Sequence, residues 1–476
     1  MIKKELPLLE ELLKYHKENN LILSMPGNKC GKGFLRDDIG RKFVNNLGFL
    51  DITEVEPLDN LHCPEGIIKE AQDLLSKTYG VKKAYFMVNG SSGGNLVSIF
   101  SAFIEGDEVL VERNCHKSIY NGLILRKLKV TYIEPIIDKK NGIFLPPNEE
   151  NIYKALKKAD NPKGIILTYP NYFGICYDIE NVIKDLKGKG MKIIIDGAHG
   201  AHFGVNKKLP KSIVALGDYV VLSAHKTLPA LTQGSYLLVN EYNNNNNNNN
   251  IEFYISAFMT TSPSYLIMAS LDYGRYYLDK YADLDYEKLI ILAEEWKKKI
   301  NTINKVHILN KDDLEDGYDL DLSRYLIVLK DGYSGHKLLD YLRTKKIQAE
   351  MSFSSGVVLI LSPFNAEKDF EYIYNSINEL DLNSLKENSN IEYYNVIPSK
   401  VMEPYEIFES EWKFVDIEQC EGEISKDAIV PYPPGIPLIC AGEIISKEII
   451  EIINNYIENN KTVIGVVNKR LKILDV

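Results

Sequence analysis

Two residues whose types suit cofactor chemistry, Asp196 and Lys226, each stand at or just after the C-terminal end of a short apolar run, Lys192 to Asp196 and Tyr219 to Ser223. In an open α/β sheet, ligands sit beyond those strand ends. A lysine amine able to form a Schiff base with an aldehyde, and a carboxylate able to pair with a ring nitrogen, are what pyridoxal 5'-phosphate (PLP) needs to work as an electron sink. The alternative for Lys226 is a surface lysine, and its place directly after Val220-Val-Leu argues against that.

A phosphate needs a cradle, and Val88-Asn-Gly-Ser-Ser-Gly-Gly-Asn95 has the composition of one. Small residues let the backbone approach, Gly90, Ser91 and Ser92 present N–H and hydroxyl donors, and a helix expected from about Gly94 adds its free N–H groups. The Gly-x-x-x-x-Gly-Lys pattern of a nucleotide triphosphate loop is missing. Such a stretch also makes ordinary turns. Ser223-Ala-His-Lys-Thr227 places two further phosphate donors, Ser223 and His225, beside the lysine. His116, in Arg113-Asn-Cys-His-Lys117, suits either stacking on a pyridine ring or a hydrogen-bonded structural role, and the residues alone do not choose. His199 and His202 follow Asp196 in one loop; three potential ligands without a fourth make a poor metal site, and contact with the ring or its phosphate is the better reading, so no metal is expected.

These groups need a scaffold that brings strand ends together. Apolar runs at Ala84 to Val88, Val109 to Glu112, Val130 to Ile133, Gly164 to Tyr169, Lys192 to Asp196 and Tyr219 to Ser223 alternate with amphipathic stretches, one of them from Ile67 toward Gly80. Fully apolar strands between helices indicate a parallel sheet in an α/β domain. A further strand, Gly234 to Val239, precedes the asparagine run Asn243 to Asn250, read as a solvated hairpin insertion. A second α/β unit is expected from Ser323, with strands Tyr325 to Leu329, Ile347 to Ser352 and Val357 to Ser362 and helices Gly335 to Thr344 and Ala366 to Leu380. The tail carries Pro431-Tyr-Pro-Pro-Gly-Ile-Pro437, whose prolines predict a rigid loop rather than strand or helix, and then a final helix. The expected division is an N-terminal segment 1–60, a PLP-binding large domain 61–300, a small α/β domain 301–390 and a C-terminal domain 391–476.

Composition narrows the partners. The 476 residues are 45% hydrophobic and 26% charged, with no apolar run of bilayer length, which predicts a soluble protein without a membrane partner. A net charge of -10 without a basic block argues against nucleic acid as the main partner and suits a cationic small molecule. The charged N-terminus has no secretory signal, and six scattered cysteines without a Cys-x-x-Cys pair fit a reducing, cytoplasmic compartment.

Taken in order, Met25-Pro-Gly-Asn-Lys29, Leu58-Asp-Asn-Leu-His62, Val88-Asn-Gly-Ser-Ser92, Asn114-Cys-His-Lys-Ser118, Thr168-Tyr-Pro-Asn-Tyr172, Asp196-Gly-Ala-His199, Ser223-Ala-His-Lys226, Thr261-Ser-Pro-Ser-Tyr265 and Tyr432-Pro-Pro-Gly-Ile-Pro437 resemble the bacterial ornithine/lysine/arginine decarboxylases. The resemblance implies the aspartate-aminotransferase-like PLP fold (fold type I), with a mostly parallel large-domain sheet and smaller α+β C-terminal domains. It implies that Lys226 carries PLP, Asp196 pairs with the pyridine nitrogen and His116 stacks on the ring. Ser91, Ser92, Ser223 and His225 look like phosphate ligands, with Ser262 reaching the phosphate of a neighbouring subunit in a homodimer or larger homo-oligomer. The length resembles the shorter members without an N-terminal wing domain, often arginine decarboxylases, which turn arginine into agmatine and CO₂ in polyamine biosynthesis; lysine and ornithine are the alternatives. Two departures, Asn28 where the family usually has His and Gly197 where it often has an acidic residue or serine, bear on the substrate, because the first motif is expected near the site entrance.

A cationic side chain calls for carboxylates, and Glu54, Asp59, Glu350 and Glu443 are candidates, each with a solvated surface acid as the alternative. An aminotransferase on the same fold would hold the substrate carboxylate with an arginine of the small domain, where Arg324 and Arg343 lie. An inactive regulatory homologue would be expected to lack Lys226 or Asp196, and both are present.

Overall fold

The apolar runs assemble into one seven-stranded sheet, in the spatial order Lys83–Met87, Ser235–Val239, Tyr219–Leu222, Lys192–Asp196, Pro162–Thr168, Glu108–Glu112 and Lys129–Ile133. The computed structural model describes residues 5–241, 250–387, 397–432, 437–458 and 462–475. All neighbouring strands run parallel except Ser235–Val239, which is antiparallel to both of its partners. The strands are buried almost throughout, and β-branched runs such as Ile193-Ile-Ile suit a pleated surface covered on both sides. The register sets Asp196 beside Thr168 on one flank and Val221 on the other, so the carboxylate and the segment leading into Lys226 emerge on adjacent strands.

The helix after the first strand begins at Gly90 and runs to Ala102, four residues earlier than the sequence predicts. Gly90 has φ +77°, a left-handed turn that glycine takes without steric cost, and the chain enters the helix directly from it. Ser91 and Ser92 therefore lie in the first helical turn, not in a loop ahead of it. At Gly94 the helix lies on the lysine-bearing strand so closely that an added Cβ would come 2.8 Å from Val221.

A second, antiparallel sheet joins His307–Ile308, Arg324–Val328, Gly356–Ile360 and Met351–Phe353. The single strand expected from Ile347 to Ser352 is two strands broken at Glu350. Ile347–Ala349 instead pairs in parallel with Leu21–Leu23 of the N-terminal segment, and Met351–Phe353 stays with the small sheet. A one-residue break is enough because side chains alternate along a strand, so it redirects everything that follows.

The tail has its own apolar cluster, built on Ile417, Ile429, Ile439, Ile449 and Ile453. Its helix, Lys447–Glu458, is not final: strands Thr462–Ile464 and Arg470–Leu474 follow and pair with Val430–Tyr432 and Trp412–Asp416. Pro431 stands inside a strand, contrary to the loop expected there; the strand is one of a pair, where a missing N–H can face away from its partner. Residues 433–436 of that motif, and 242–249 within the asparagine insertion, lie outside the described residues. Among the described residues no helix is long and apolar enough to cross a membrane.

Candidate active site

Asp196 is 3% exposed and held from two sides. Asn95 Nδ2, from the Gly90–Ala102 helix, donates to its Oδ2 at 2.9 Å, and the Ala198 N–H donates to Oδ1 at 3.2 Å. Asn95 also donates to Ser118 Oγ at 2.9 Å, and Ser118 Oγ lies 2.8 Å from His116 Nδ1. One buried amide thus links the carboxylate to the histidine. His116 caps the helix Lys117–Leu125, its Nδ1 accepting from the Ser118 N–H at 3.2 Å. The ring remains open to solvent, yet desolvation lowers its pKa, with Asp196 opposing and Lys226 reinforcing the shift. Neutral imidazole is the form the site favours.

Lys226 lies in the single turn Ala224–Thr227 that follows its strand. Its Nζ is 3.0 Å from His199 Nε2. Burial lowers the lysine pKa against the pull of Asp196, and Arg324 lowers it further. Arg324, 3% exposed, sits behind His199: Nη2 donates to His199 Nδ1 at 3.2 Å, Nη1 to the Tyr172 carbonyl at 2.7 Å and Nε to Asp321 Oδ2 at 3.1 Å. Each of its three nitrogens has a protein partner, so the arginine does not stand open to a substrate carboxylate as an aminotransferase would need. Tyr172 packs on the His199 ring, centroids 4.8 Å apart, and its hydroxyl donates to Glu350 Oε1 at 2.9 Å.

The expectation for His202 is corrected. It is fully buried, 3.2 Å from Asp321 and stacked on Tyr286, and so serves the support of Arg324, not a cofactor. Two of the acids considered for a cationic substrate are also excluded. Glu443 is 1% exposed and locked to Arg113, with Oε2 2.6 Å from Nη2 and a second, shorter contact between Oε1 and Nη1. Asp59 accepts from the N–H groups of Asn60, Glu65, Gly66 and Ile68 and so organises its own loop. Of the four, Glu350 acts on the charge of Lys226 and favours its ammonium form. The Met25–Lys29 motif lies against the back of the lysine turn: Gly27 N donates to the His225 carbonyl at 2.7 Å, Asn28 Nδ2 to the Ala230 carbonyl at 2.9 Å, and a Cβ on Gly27 would meet Thr227 at 2.6 Å.

The family model described as Orn/Lys/Arg decarboxylase, major domain, matches residues 6–321, and the model of the C-terminal domain of that family matches residues 387–466. The chain belongs to the Orn/Lys/Arg decarboxylase family. An uncharacterized protein of Bacillus subtilis (strain 168), YaaO, is 33% identical over 98% of this chain and 97% of its own length. An arginine decarboxylase of Bacillus anthracis is 31% identical over 99% of this chain and 97% of its own. Among solved structures, the constitutive lysine decarboxylase of Escherichia coli superposes with a TM-score of 0.78 at 18% identity, covering 98% of this chain and 82% of that one, a likeness of fold.

Membership makes this decarboxylase a PLP enzyme acting on a basic amino acid, with the fold type I architecture read from its motifs. The pocket fits the cofactor on its own terms. Ser223 Oγ and Thr227 Oγ1 are buried hydroxyls without a hydrogen-bond partner, a costly state unless a ligand supplies one. The Gly90–Ala102 helix has no side-chain cap, so its first-turn N–H groups are available to a phosphate. His225 donates through Nδ1 to the Gly234 carbonyl at 2.9 Å, which leaves Nε2 a donor only when the ring is protonated. Ser91 is partly exposed and Ser92 exposed; Ser262 is exposed, with its N–H on Thr260 Oγ1, and Thr260 N–H reaches Asn89 Oδ1 at 3.4 Å, next to Gly90.

Sequence reasoning missed Asn95, Ser118, Tyr172 and Glu112. Asn95 closes the quoted cradle motif, but nothing local says that it reaches a carboxylate on another strand. Glu112 is 2% exposed at the end of its strand, accepts from the Thr168 N–H at 3.0 Å, and burial pushes its carboxyl up to about 8. Its burial beside Asp196 favours the protonated form.

Proposed function

We propose that this decarboxylase converts L-arginine to agmatine and CO₂, and that Lys226 carries PLP while Asp196 pairs with its ring nitrogen and His116 lies against its face. Bound PLP supplies an electron sink for the pair released when the carboxylate leaves. Asn95 and the Ala198 N–H orient Asp196. Gly90, Ser91, Ser92 and Ser223 hold the phosphate, which His225 joins through Nε2 only with its ring protonated, and His116 and Lys226 are the two groups placed to return a proton to the substrate carbon.

The observation that carries the choice of substrate is Glu350. Its oxygens accept from neutral donors, Met25 N–H at 2.9 Å and Tyr172 O–H at 2.9 Å, and it faces the cations of the pocket. A carboxylate fixed by two neutral bonds is preorganised for the planar fork of a guanidinium, and the relative from Bacillus anthracis bears the name arginine decarboxylase. Amine and CO₂ production from arginine, lysine and ornithine by purified protein with PLP tests the reading. Agmatine as the favoured product supports it; cadaverine or putrescine replaces the substrate; no amine from any of the three defeats it. Glu350→Gln is expected to raise KM for arginine by about 10- to 100-fold, the worth of roughly 1.5–3 kcal/mol for a hydrogen bond to a charged group, with a smaller change in kcat.

We further propose a cytoplasmic homodimer. The helix Pro7–Lys17 buries no residue and exposes Leu8 (74%), Leu9, Leu12 and Leu13, and Phe49 is 86% exposed. Apolar surface of that extent marks an interface, and Ser262 is exposed and so accessible to a neighbour's phosphate site. Sedimentation equilibrium should give twice the chain mass, and Leu9→Glu with Leu12→Glu should shift it toward the monomer.

A further inference from the structure

Arg324 determines more than its own burial. A guanidinium has donors and no lone pair, so the atom it meets on His199, Nδ1 at 3.2 Å, must accept. Burial, then the neighbouring Lys226 and Arg324, hold the His199 ring far below the ordinary histidine range, so it carries a single proton. With Nδ1 engaged as acceptor that proton is on Nε2, and Nε2 is 3.0 Å from Lys226 Nζ. A ring N–H facing an amine can only donate to its lone pair; an ammonium there would put two protons into one hydrogen bond.

The arginine cannot readily turn away from this arrangement. Asp321, wholly buried, accepts from Ser323 N at 3.0 Å and Ser323 Oγ at 2.6 Å on Oδ1, and meets Arg324 Nε and His202 Nε2 on Oδ2. Burial alone would raise the Asp321 carboxyl, but His202, Arg324 and Ser323 outweigh it and keep it ionised. The Tyr172 carbonyl fixes the remaining arm of the fork. Among the described residues, the other titratable or charged groups that face Lys226 or His199 are Asp196, Glu350, His116, His225 and the Tyr172 phenol that packs on the His199 ring. Asp196 and Glu350 favour the ammonium, so a free amine at Lys226 needs an opposing device.

We propose that the Asp321–Arg324 pair fixes the tautomer of His199 so that this ring donates to Lys226 and holds it as the free amine, which makes Arg324 and His199 positioning residues for the nucleophile. The inference rests on the reading of Lys226 as the residue that takes the cofactor's aldehyde, and it assigns the buried arginine to the lysine instead of to a substrate carboxylate.

Two measurements on the full chain freed of PLP test it without turnover. In ¹⁵N NMR of histidine-labelled protein, His199 is expected to show a protonated Nε2 and an unprotonated Nδ1; the reverse pattern, or a doubly protonated ring, overturns the proposal whether or not any variant folds. Amine labelling with acetic anhydride, read by mass spectrometry across pH, gives the midpoint at which Lys226 becomes reactive. That midpoint should lie at least about one unit, a tenfold ratio, below that of the exposed Lys163. Arg324→Gln should move it up by about one unit, and Arg324→Lys, the milder change, by part of that. In a His199→Phe background the same arginine substitution should produce less than half the shift, because the effect passes through the ring. Equal shifts in both backgrounds would reduce Arg324 to a bare charge and sink the proposal. A protein that releases no amine from arginine, lysine or ornithine yet shows this tautomer and this coupling would lose its substrate reading and keep the inference.

Discussion

Lys226→Ala should lower kcat by about 10²–10⁴-fold or more, the loss expected when a positioned group that both bonds the cofactor and moves protons is removed. The nearby Lys29 is not placed to substitute for it. Lys29 is 2% exposed and commits its Nζ to the Ser24 and Ile360 carbonyls, at 2.5 and 3.0 Å, behind the lysine turn. Lys226→Arg should not rescue the activity, because a guanidinium stays protonated and is a poor nucleophile. The measurement is CO₂ release under saturating substrate, with the visible absorbance of PLP-loaded protein alongside. Wild-type turnover to within tenfold in the alanine variant would mean that the cofactor is carried elsewhere.

Glu443→Ala should cost about 3–5 kcal/mol of stability, because it strands the Arg113 cation in the interior without its partner. Arg113 and Glu443 are 2% and 1% exposed. Among the described residues, Arg113 Nη2 reaches the Leu438 carbonyl besides Glu443, at 3.0 Å, and Glu443 Oε2 also accepts the Cys440 N–H at 2.7 Å. A urea midpoint well below that of the parent, with Glu443→Gln intermediate, is the expected outcome. A change under about 1 kcal/mol would show that water or a rearranged side chain satisfies the arginine. Arg113 immediately follows Glu112 and precedes His116 by three residues, so the weakened variant should also bind PLP less tightly.

What the sequence made legible is what is local. Seven strands and the Asp196–Lys226 pair came from apolar runs and the residues that end them, because a buried parallel strand announces itself by composition alone. The serine-glycine cradle was visible, but not that its helix starts at Gly90, since a left-handed glycine is a property of the backbone. The break at Glu350 was invisible for a related reason: Ile347 to Ser352 reads as one continuous strand, and only the distant Leu21–Leu23 separates its two halves. The errors at Glu443 and His202 share a cause. Each was judged beside its neighbours in the chain, while its fate was decided by Arg113 and Asp321, residues far away in sequence. Arg324 was weighed only as a ligand for a carboxylate, and its link to Lys226 through His199 depends on the meeting of three segments.

The Arg113–Glu443 pair has a consequence for how the molecule is made. A chain synthesised from its N-terminus can form the large sheet early, since every strand of it lies before residue 240. Arg113 then waits, its ion pair unmade, for a carboxylate 330 residues further along the chain. Until residue 443 has been translated and docked, the segment bearing His116 lacks its anchor. Capture of the cofactor in its final geometry is therefore expected late in biogenesis, and a nascent chain stalled short of the tail would have the lysine in place but lack the Arg113–Glu443 pair.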